Sequence, residues 1–220
     1  MKILLIGGHG AGDPGAVGNG YKESDLTREV VTLVKTRLSK FAEVDVYDMN
    51  KNAFAILNSG GSINFKPYDY VLEVHFNAFN GNAHGTEIYV TTSEKTTGVE
   101  DRMVKNISAL GFTNRGVKKK NFYLIKTAKN QGVSSALLEV CFIDNISDMA
   151  IYTSKKNNIA DAIVSAIVDG FGLKKSTATV TTPNYKEKVA TRFGLSADTI
   201  NYLSKYKYAD SLFEKLATKK

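Results

Sequence analysis

The chain has 220 residues, 43% of them hydrophobic, and a formal net charge of +7. This length can bury one core of roughly 150 to 200 residues. No apolar run approaches the roughly 20 residues of a membrane span, and no basic segment followed by an apolar stretch opens the chain, so we expect no membrane insertion and no signal peptide. The single cysteine, Cys141, excludes an intramolecular disulfide framework and a cysteine-rich zinc cluster.

The positive charge is concentrated near the end of the chain. Residues 174–220 hold ten Lys or Arg and four Asp or Glu, a net charge of +6, which leaves +1 for residues 1–173. Residues 174–184, KKSTATVTTPN, are polar and Thr-rich, as is typical of a linker. We therefore predict a main domain over 1–173, a linker over 174–184, and a small basic helical domain over 185–220. Such a basic segment suits nucleic acid, an anionic membrane surface or an anionic cell wall.

Hydrophobic periodicity predicts strands that alternate with helices along the main domain. The predicted strands are 3–6, 44–47, 68–76, 86–91, 122–126 and 135–143. The predicted helices are 23–41, with Ser24 or Asp25 as its cap, 53–58, 100–110 and 159–171, followed in the tail by two or three short helices between 186 and 217. This alternation is typical of an α/β fold, here a twisted, mostly parallel sheet with helices on both faces, plus a small C-terminal helical module.

Two histidines and one glutamate are predicted to meet at one edge of this sheet. His9 lies in the glycine-rich loop after strand 3–6, and His75 ends strand 68–76, so both lie where α/β proteins usually place their sites. Glu23 opens the next helix. Two imidazoles and one carboxylate form a three-ligand zinc site with an open fourth position. Spacing alone leaves open the alternative that these are ordinary hydrogen-bonded polar residues, because no His-x-x-x-His pair fixes the geometry.

Glu139 interrupts the apolar run 135–143. Burial raises the pKa of a carboxyl group, which suits a general acid or base. The alternative is a glutamate paired with a lysine at the end of a strand. We expect Cys141 to share a strand face with Glu139, so a Cys/His hydrolase is a second enzyme hypothesis. A thiol among apolar side chains is normally inert, however. Glu73, on the same strand face as His75, is a candidate to orient that histidine.

The glycine-rich segment 10–15 also matches the dinucleotide-binding fingerprint. That fingerprint needs a helix to begin at its third glycine, so that the helix amides face the pyrophosphate. Gly18 and Gly20 keep this chain non-helical until about Lys22. We therefore interpret this segment as a flexible glycine-rich loop around His9 and not as a nucleotide-binding site.

Taken in order, these motifs closely resemble the zinc-dependent N-acetylmuramoyl-L-alanine amidases of the Amidase_3 type, which occur in bacterial autolysins and phage endolysins. The resemblance covers residues 1 to about 173. It rests on GHG at 8–10 with DPGA at 13–16, on Glu23, on VHFNA at 74–78 and on LEVCFIDN at 138–145. Cys141 departs from the family at a position where glycine is common, and the loop before Glu23 is shortened at Asn19-Gly20; neither change touches a proposed ligand.

The resemblance implies hydrolysis of the amide bond between N-acetylmuramic acid and the L-alanine of the peptidoglycan stem peptide. It implies Zn²⁺ on His9, Glu23 and His75, with Glu139 as the general base and acid. Asn77 and Arg115 are candidate substrate-binding residues, although an arginine in a loop is more often part of a surface ion pair. A degenerate amidase domain that only binds peptidoglycan or a partner is the non-catalytic alternative.

The absence of an export signal favours a phage endolysin over a secreted autolysin, held in the host cytoplasm until release and then acting on the cell wall. For the basic tail we expect cell-wall binding first and self-association through its helices second. Ala190, Gly194 and Ile200 also resemble a helix-turn-helix, so a DNA-binding tail is a rival interpretation, but fusion to an amidase makes nucleic acid an unlikely partner.

Overall fold

The computed structural model describes residues 1–175, 185–206 and 209–218. The chain divides into two compact units, Met1–Lys175 and Ser176–Lys220. Most of the predicted linker, 174–184, lies outside the described residues. Within the described ranges, no helix is both long and apolar enough to cross a lipid bilayer.

The first unit alternates strands and helices. Its strands are β1 (Lys2–Gly7), β2 (Val17–Gly18), β3 (Tyr21–Lys22), β4 (Glu43–Val46), β5 (Tyr70–Asn77), β6 (Thr86–Val90), β7 (Asn114–Lys119) and β8 (Ser134–Phe142). Its helices are α1 (Glu23–Leu38), α2 (Ala53–Asn58), α3 (Gly98–Ser108), α4 (Tyr123–Asn130) and α5 (Ile146–Gly170).

Six of these strands form one sheet in the order β4-β1-β5-β8-β6-β7. Neighbouring strands run parallel except at β6, which runs antiparallel to β8. The strands β2 and β3 pair with each other as a separate antiparallel hairpin. The sheet is therefore mostly parallel, as the alternation of strands and helices predicts.

Helices cover both faces of the sheet, which confirms the predicted class. On β8, Leu138 belongs to a large apolar cluster that includes side chains from α1, α3 and α5. Its neighbour Leu137 belongs to a smaller cluster that includes side chains from α2 and α4. Because successive side chains of a strand point to opposite faces, β8 contributes to both cores and is buried on each side.

The segment 122–126, predicted as a strand, is instead the start of helix α4. Leu124, Ile125 and Ala128 are its buried residues, and this spacing of one and three residues fits one face of a helix. The strand lies just upstream, at β7, where the sequence NRGVKK shows no apolar alternation. The position of β7 at the sheet's outer edge explains this composition, since edge strands are often protected by charged side chains.

Helix α1 begins at Glu23 as predicted, but the prediction that Ser24 or Asp25 caps it is wrong. The N-cap position is Lys22, whose side chain makes no capping hydrogen bond. The backbone amides of Glu23 and Ser24 donate instead to the carbonyls of Ala16 and Pro14, at 2.9 and 3.0 Å. The glycine-rich loop thus satisfies the helix terminus and ties the two together.

Helix α5 is longer than the predicted 159–171, because it begins at Ile146 and passes through a kink at Lys155. The side chain of Asn145 caps it by accepting a hydrogen bond from the amide of Asp148. Buried Met149 and Tyr152 show that the additional turns also pack on the core.

The second unit contains three short helices in its described residues: α6 (Tyr185–Phe193), α7 (Ala197–Leu203) and α8 (Ala209–Thr218). Its buried apolar side chains are Val189, Ala209 and Phe213. Ser196 caps α7 by accepting a hydrogen bond from the amide of Thr199. So small a core is expected to contribute only modest stability.

Replacing Leu138 with alanine should destabilise the fold by about 2 to 5 kcal/mol, because the side chain is fully buried and its loss leaves a cavity. Ile146→Ala is the matched control: that side chain is 76% exposed, so its loss should change stability by no more than about 0.5 kcal/mol. Urea unfolding measures both free energies. Equal effects of the two substitutions would contradict the described core.

Candidate metal centre

Three neighbouring strands bring the predicted site residues to one edge of the sheet. His9 follows β1, His75 lies near the end of β5, and Glu139 lies directly opposite His75 in the register of β5 and β8. These are the carboxyl ends of parallel strands, where α/β proteins place their ligands.

The carboxylate of Glu23 lies between the two histidines. Its Oε1 is 2.8 Å from Nδ1 of His75 and accepts a hydrogen bond from the amide of Phe76 at 3.0 Å. Its Oε2 is 3.1 Å from Nε2 of His9 and accepts from the amide of Ala16 at 2.9 Å. Potential ligand atoms of His9, Glu23 and His75 all lie within 4.8 Å of one another. The structure thus brings together the three residues that are predicted from the sequence as metal ligands.

A second carboxylate binds the other nitrogen of each imidazole. Oδ2 of Asp13 is 2.8 Å from Nδ1 of His9, and Oε1 of Glu73 is 3.1 Å from Nε2 of His75. In metal sites, such outer carboxylates fix the tautomer and the orientation of a histidine ligand. The geometry around His75 fits the predicted orienting role of Glu73. Asp13 was missed in that role, although its spacing of four residues from His9 could have suggested it.

The backbone around His9 is held in an unusual conformation. His9 has φ of 62°, in the left-handed region that non-glycine residues rarely adopt. The guanidinium group of Arg28 donates to the carbonyls of Gly8 and His9, each at 2.8 Å, and to the carbonyl of Met49 at 2.9 Å. Arg28 therefore fixes the loop that carries His9. Nothing in its helical sequence pattern distinguishes it from a solvent-facing arginine.

Electrostatics at this centre favour positive charge between the histidines. Burial opposes ionisation of Glu23, but hydrogen bonds with His75 and His9 hold its pKa well below the usual range. Burial also opposes protonation of His75, yet the charge of Glu73 and the hydrogen bonds to Glu23 and Glu73 raise its pKa well above the usual value. Glu23 likewise raises the pKa of His9 against the effect of burial. A field that stabilises imidazolium in this way also favours a metal cation.

Glu139 combines burial with an unsatisfied oxygen. Burial raises the pKa of Glu139 to about 7, although the charge of His75 opposes the shift. Among the described residues, its Oε2 is one of only two buried side-chain oxygens without a hydrogen-bond partner. Such a group needs an explanation, because leaving a buried acceptor unpaired costs about 1 to 3 kcal/mol.

A cavity of about 230 Å³ opens beside these groups. Its polar lining includes His9, Glu73, His75 and Glu139. Its apolar lining comes from α2, β8 and the start of α4, through Phe54, Phe122, Tyr123, Leu124 and Leu137. The unpaired carboxyl of Glu139 and the two imidazoles thus border the same space.

Cys141 does not share this space, and the prediction that it shares a strand face with Glu139 is wrong. The pairing of β5 with β8 shifts register between His75 and Asn77, so that Asn77 pairs with Phe142. This irregularity lies beside Cys141, which packs in the large cluster on the other side of the sheet. Burial raises the pKa of its thiol well above the usual value, so the thiol is neutral core.

Residues 3–169 match the family model of N-acetylmuramoyl-L-alanine amidases. The chain belongs to this amidase family. It is 29% identical over 191 residues to the sporulation-specific N-acetylmuramoyl-L-alanine amidase of Bacillus subtilis, a match that covers 81% of this chain and 71% of that protein. It is also 29% identical over 185 residues to the endolysin of Bacillus phage SPP1, covering 79% of this chain and 67% of the endolysin.

The fold of this amidase is similar to that of solved family members. The catalytic domain of CwlV, an N-acetylmuramoyl-L-alanine amidase from Bacillus (Paenibacillus) polymyxa, superposes with a TM-score of 0.64 at 23% sequence identity. The superposition covers 79% of this chain and 99% of that domain. Residues 1–175 therefore have the architecture of an amidase catalytic domain.

The two candidate substrate-binding residues of the amidase both contact one buried carboxylate, that of Glu87. Nδ2 of Asn77 donates to its Oε1 at 2.9 Å, and Nε of Arg115 donates to its Oε2 at 2.6 Å. Glu87 lies opposite Glu139 in the antiparallel pairing of β6 with β8. Glu87 is a site residue that sequence patterns did not predict, although a lone carboxylate in the alternating strand 86–91 was a visible signal.

Replacing Gly8 with alanine should weaken metal binding, because the added Cβ would overlap the ring of His75. We expect an affinity loss of roughly 10- to 100-fold, the range seen when groups that orient metal ligands are altered. Gly98→Ala is the control, since a Cβ there meets no atom within 4 Å. Calorimetric titration of metal-free protein with Zn²⁺ as the probe measures both affinities. Unchanged affinity in Gly8→Ala would contradict the geometry of the centre.

Proposed function

We propose that this amidase is zinc-dependent and lyses bacterial cell walls by hydrolysing the amide bond between N-acetylmuramic acid and L-alanine in peptidoglycan. The observation that carries the proposal is the buried, unpaired Oε2 of Glu139, which borders the same cavity as His9 and His75. A proton acceptor without a partner beside a cluster of metal-binding groups is the arrangement that metal-assisted amide hydrolysis requires.

The residues that would hold the metal are His9, Glu23 and His75. Two imidazoles and one carboxylate suit Zn²⁺, and the cluster lacks the six to eight oxygen ligands that Ca²⁺ takes. The carboxylates of Asp13 and Glu73, which accept hydrogen bonds from the outer imidazole nitrogens, support this assignment. When bound, the ion polarises the scissile carbonyl and makes the attacking water more acidic.

Glu139 moves the proton in the proposed reaction. Its carboxylate accepts a proton from water as the water oxygen bonds to the scissile carbonyl carbon. The carboxyl group then donates that proton to the alanine nitrogen as the carbon–nitrogen bond breaks, which releases a free amine and a carboxylic acid. A pKa near 7 is well matched to both steps, because the group can be ionised before the attack and protonated after it.

The substrate occupies the cavity beside the metal centre in this proposal. The apolar side of this cavity, where Phe54 and Tyr123 are in edge-to-face contact at 6.2 Å between ring centroids, offers the substrate an apolar contact surface. Asn77 and Arg115 remain proposed substrate-binding residues, positioned by Glu87. A non-catalytic peptidoglycan-binding domain is the alternative, and it would have no use for the proton acceptor at Glu139.

We further propose that the protein is a phage endolysin whose second unit binds the anionic cell wall. The similarity to the phage SPP1 endolysin supports the first part. It would remain in the host cytoplasm until release and then act on the wall. The excess of positive charge in residues 174–220 and the exposed rings of Phe193 and Tyr202, 51% and 76% accessible, support wall binding. Self-association through α6, α7 and α8 is the second candidate role.

Glu139→Gln should keep the fold and the metal but lower turnover by roughly 10² to 10⁴, the usual contribution of general acid–base catalysis. Mass spectrometry of digested muropeptides identifies the bond cut and measures the rate. Glu100→Gln is the matched control, because Glu100 is also buried but accepts a hydrogen bond from Tyr70 and lies on α3. Near-native lysis by Glu139→Gln would make this glutamate structural and require another base.

Removing the second unit should weaken wall binding without affecting the chemistry. Residues 1–175 form a compact unit, so we expect this fragment to hydrolyse soluble muropeptides at the rate of the full chain. It should sediment less with intact cell walls at low salt, where electrostatic attraction is strongest. Equal sedimentation of both proteins would refute wall targeting. Tight, sequence-selective DNA binding by the full chain but not by the fragment would favour the rival interpretation.

A further inference from the structure

The carboxylate of Glu87 is the hub of a polar cluster beside Glu139. Its side chain is only 2% exposed, yet it accepts four hydrogen bonds. Oε1 accepts from Asn77 Nδ2 at 2.9 Å and from the hydroxyl of Tyr89 at 2.7 Å. Oε2 accepts from Arg115 Nε at 2.6 Å and from Lys118 Nζ at 2.5 Å. All the acceptor sites of this carboxylate are therefore filled.

Two cations share this one anion. Burial opposes ionisation of Glu87, but hydrogen bonds from Lys118 and Arg115 lower its pKa, so the carboxylate is charged at neutral pH. Arg115 and Lys118 together carry two positive charges, which leaves the cluster with a net charge of +1. Their side chains remain 33% and 40% exposed. The cluster thus carries one positive charge more than is needed to neutralise Glu87, and this partly exposed charge is available to an anionic ligand.

The guanidinium group of Arg115 is held in place before any ligand arrives. It lies over the ring of Phe142, 4.9 Å from the centroid, and Nη1 is 3.4 Å from the carbonyl of His84. Nε is occupied by Glu87, and Nη2 makes no hydrogen bond to any residue that the structure describes. A planar group fixed on one side and open on the other is suited to carboxylate recognition, because little side-chain entropy remains to be lost.

The register of the sheet gives the distance from this cluster to Glu139. Glu87 lies opposite Glu139, which places their Cβ atoms about 5 Å apart, and β7 lies one strand spacing further, about 5 Å more. Because Arg115 and Lys118 both contact the carboxylate of Glu87, their charges meet one strand spacing, about 5 Å, from the strand that carries the proposed proton acceptor. Two residues of extended peptide span about 7 Å. A stem peptide whose scissile amide lies at Glu139 can therefore present a carboxylate to Arg115 and Lys118.

We propose that Arg115 and Lys118 form a subsite for a free carboxylate of the stem peptide, about two residues from the scissile bond, with Glu87 as the positioning residue. The inference rests on the proposed amidase function of the same site. It assigns a substrate preference: muramoyl peptides with a free carboxyl group on the second residue are better substrates than those in which this group is a carboxamide. A carboxamide lacks the negative charge, and one of its two acceptor oxygens is replaced by a donor nitrogen. Because Arg115 and Lys118 can only donate hydrogen bonds, that nitrogen would find no acceptor there.

The test compares hydrolysis of two synthetic muramoyl peptides that differ only in this group, carboxylate or carboxamide. For the native chain we expect a KM roughly 10- to 100-fold lower for the carboxylate, as charge-assisted hydrogen bonds typically contribute. Arg115→Gln should raise KM for the carboxylate peptide and remove the preference, with a smaller change in kcat. Lys118→Gln should reduce the preference and is the second variant if Arg115→Gln does not fold, since three donors to Glu87 remain.

Arg102→Gln is the matched control, because Arg102 is exposed on α3, which packs on the opposite face of the sheet, and it should leave the preference intact. Cleavage of both peptides with equal kcat/KM by the native chain, or an unchanged preference in Arg115→Gln and Lys118→Gln, would overturn the subsite while leaving the amidase function standing. Failure of the native, metal-loaded chain to cleave either peptide would overturn the proposed function and the subsite together.

Discussion

The carboxylate of Glu23 is the constraint on which the rest of this centre depends. It is the first residue of α1, and its two oxygens contact His9 from the loop after β1, His75 from β5, and two backbone amides. A buried carboxylate requires these partners, since an unpaired buried charge is strongly destabilising. One side chain thus fixes the relative positions of a loop, a strand and a helix. The glycine-rich loop supplies one of these donors, the amide of Ala16, and its backbone carbonyls rather than a side-chain cap bond the helix terminus.

The irregularity in β8 separates two groups that a regular strand would place on one face. Glu139 borders the cavity, whereas Cys141 packs with the large core cluster on the other side of the sheet. Bulges near active sites commonly redirect side chains in this way. The same face of the sheet that carries Glu139 also carries Glu87, and through it the cations of β7. The chemistry of the proposed site is therefore spread across five neighbouring strands, β1, β5, β8, β6 and β7, at one edge.

Most of the fold could be predicted from hydrophobic periodicity, because apolar residues recur regularly in its central strands and amphipathic helices. The exceptions were weakly patterned: β7 is a polar edge strand, and the short apolar run at 122–126 fits a strand or a helix equally well until its tertiary contacts are known. The candidate metal ligands could be predicted because the carboxyl ends of parallel strands meet at one edge of a sheet, which brings the polar residues that follow them together. The roles of Arg28 and Glu87 could not, since they depend on loop carbonyls and cross-strand partners that no local spacing encodes.

We propose that His9, Glu23 and His75 hold a zinc ion in the active enzyme. Anomalous X-ray diffraction at the zinc absorption edge, from crystals of active full-length protein prepared with equimolar zinc, locates the ion. We expect one anomalous peak per chain, about 2.0 to 2.2 Å from a nitrogen of each histidine and an oxygen of Glu23. An active protein whose crystals show no peak at these three residues, or a peak elsewhere, would contradict it.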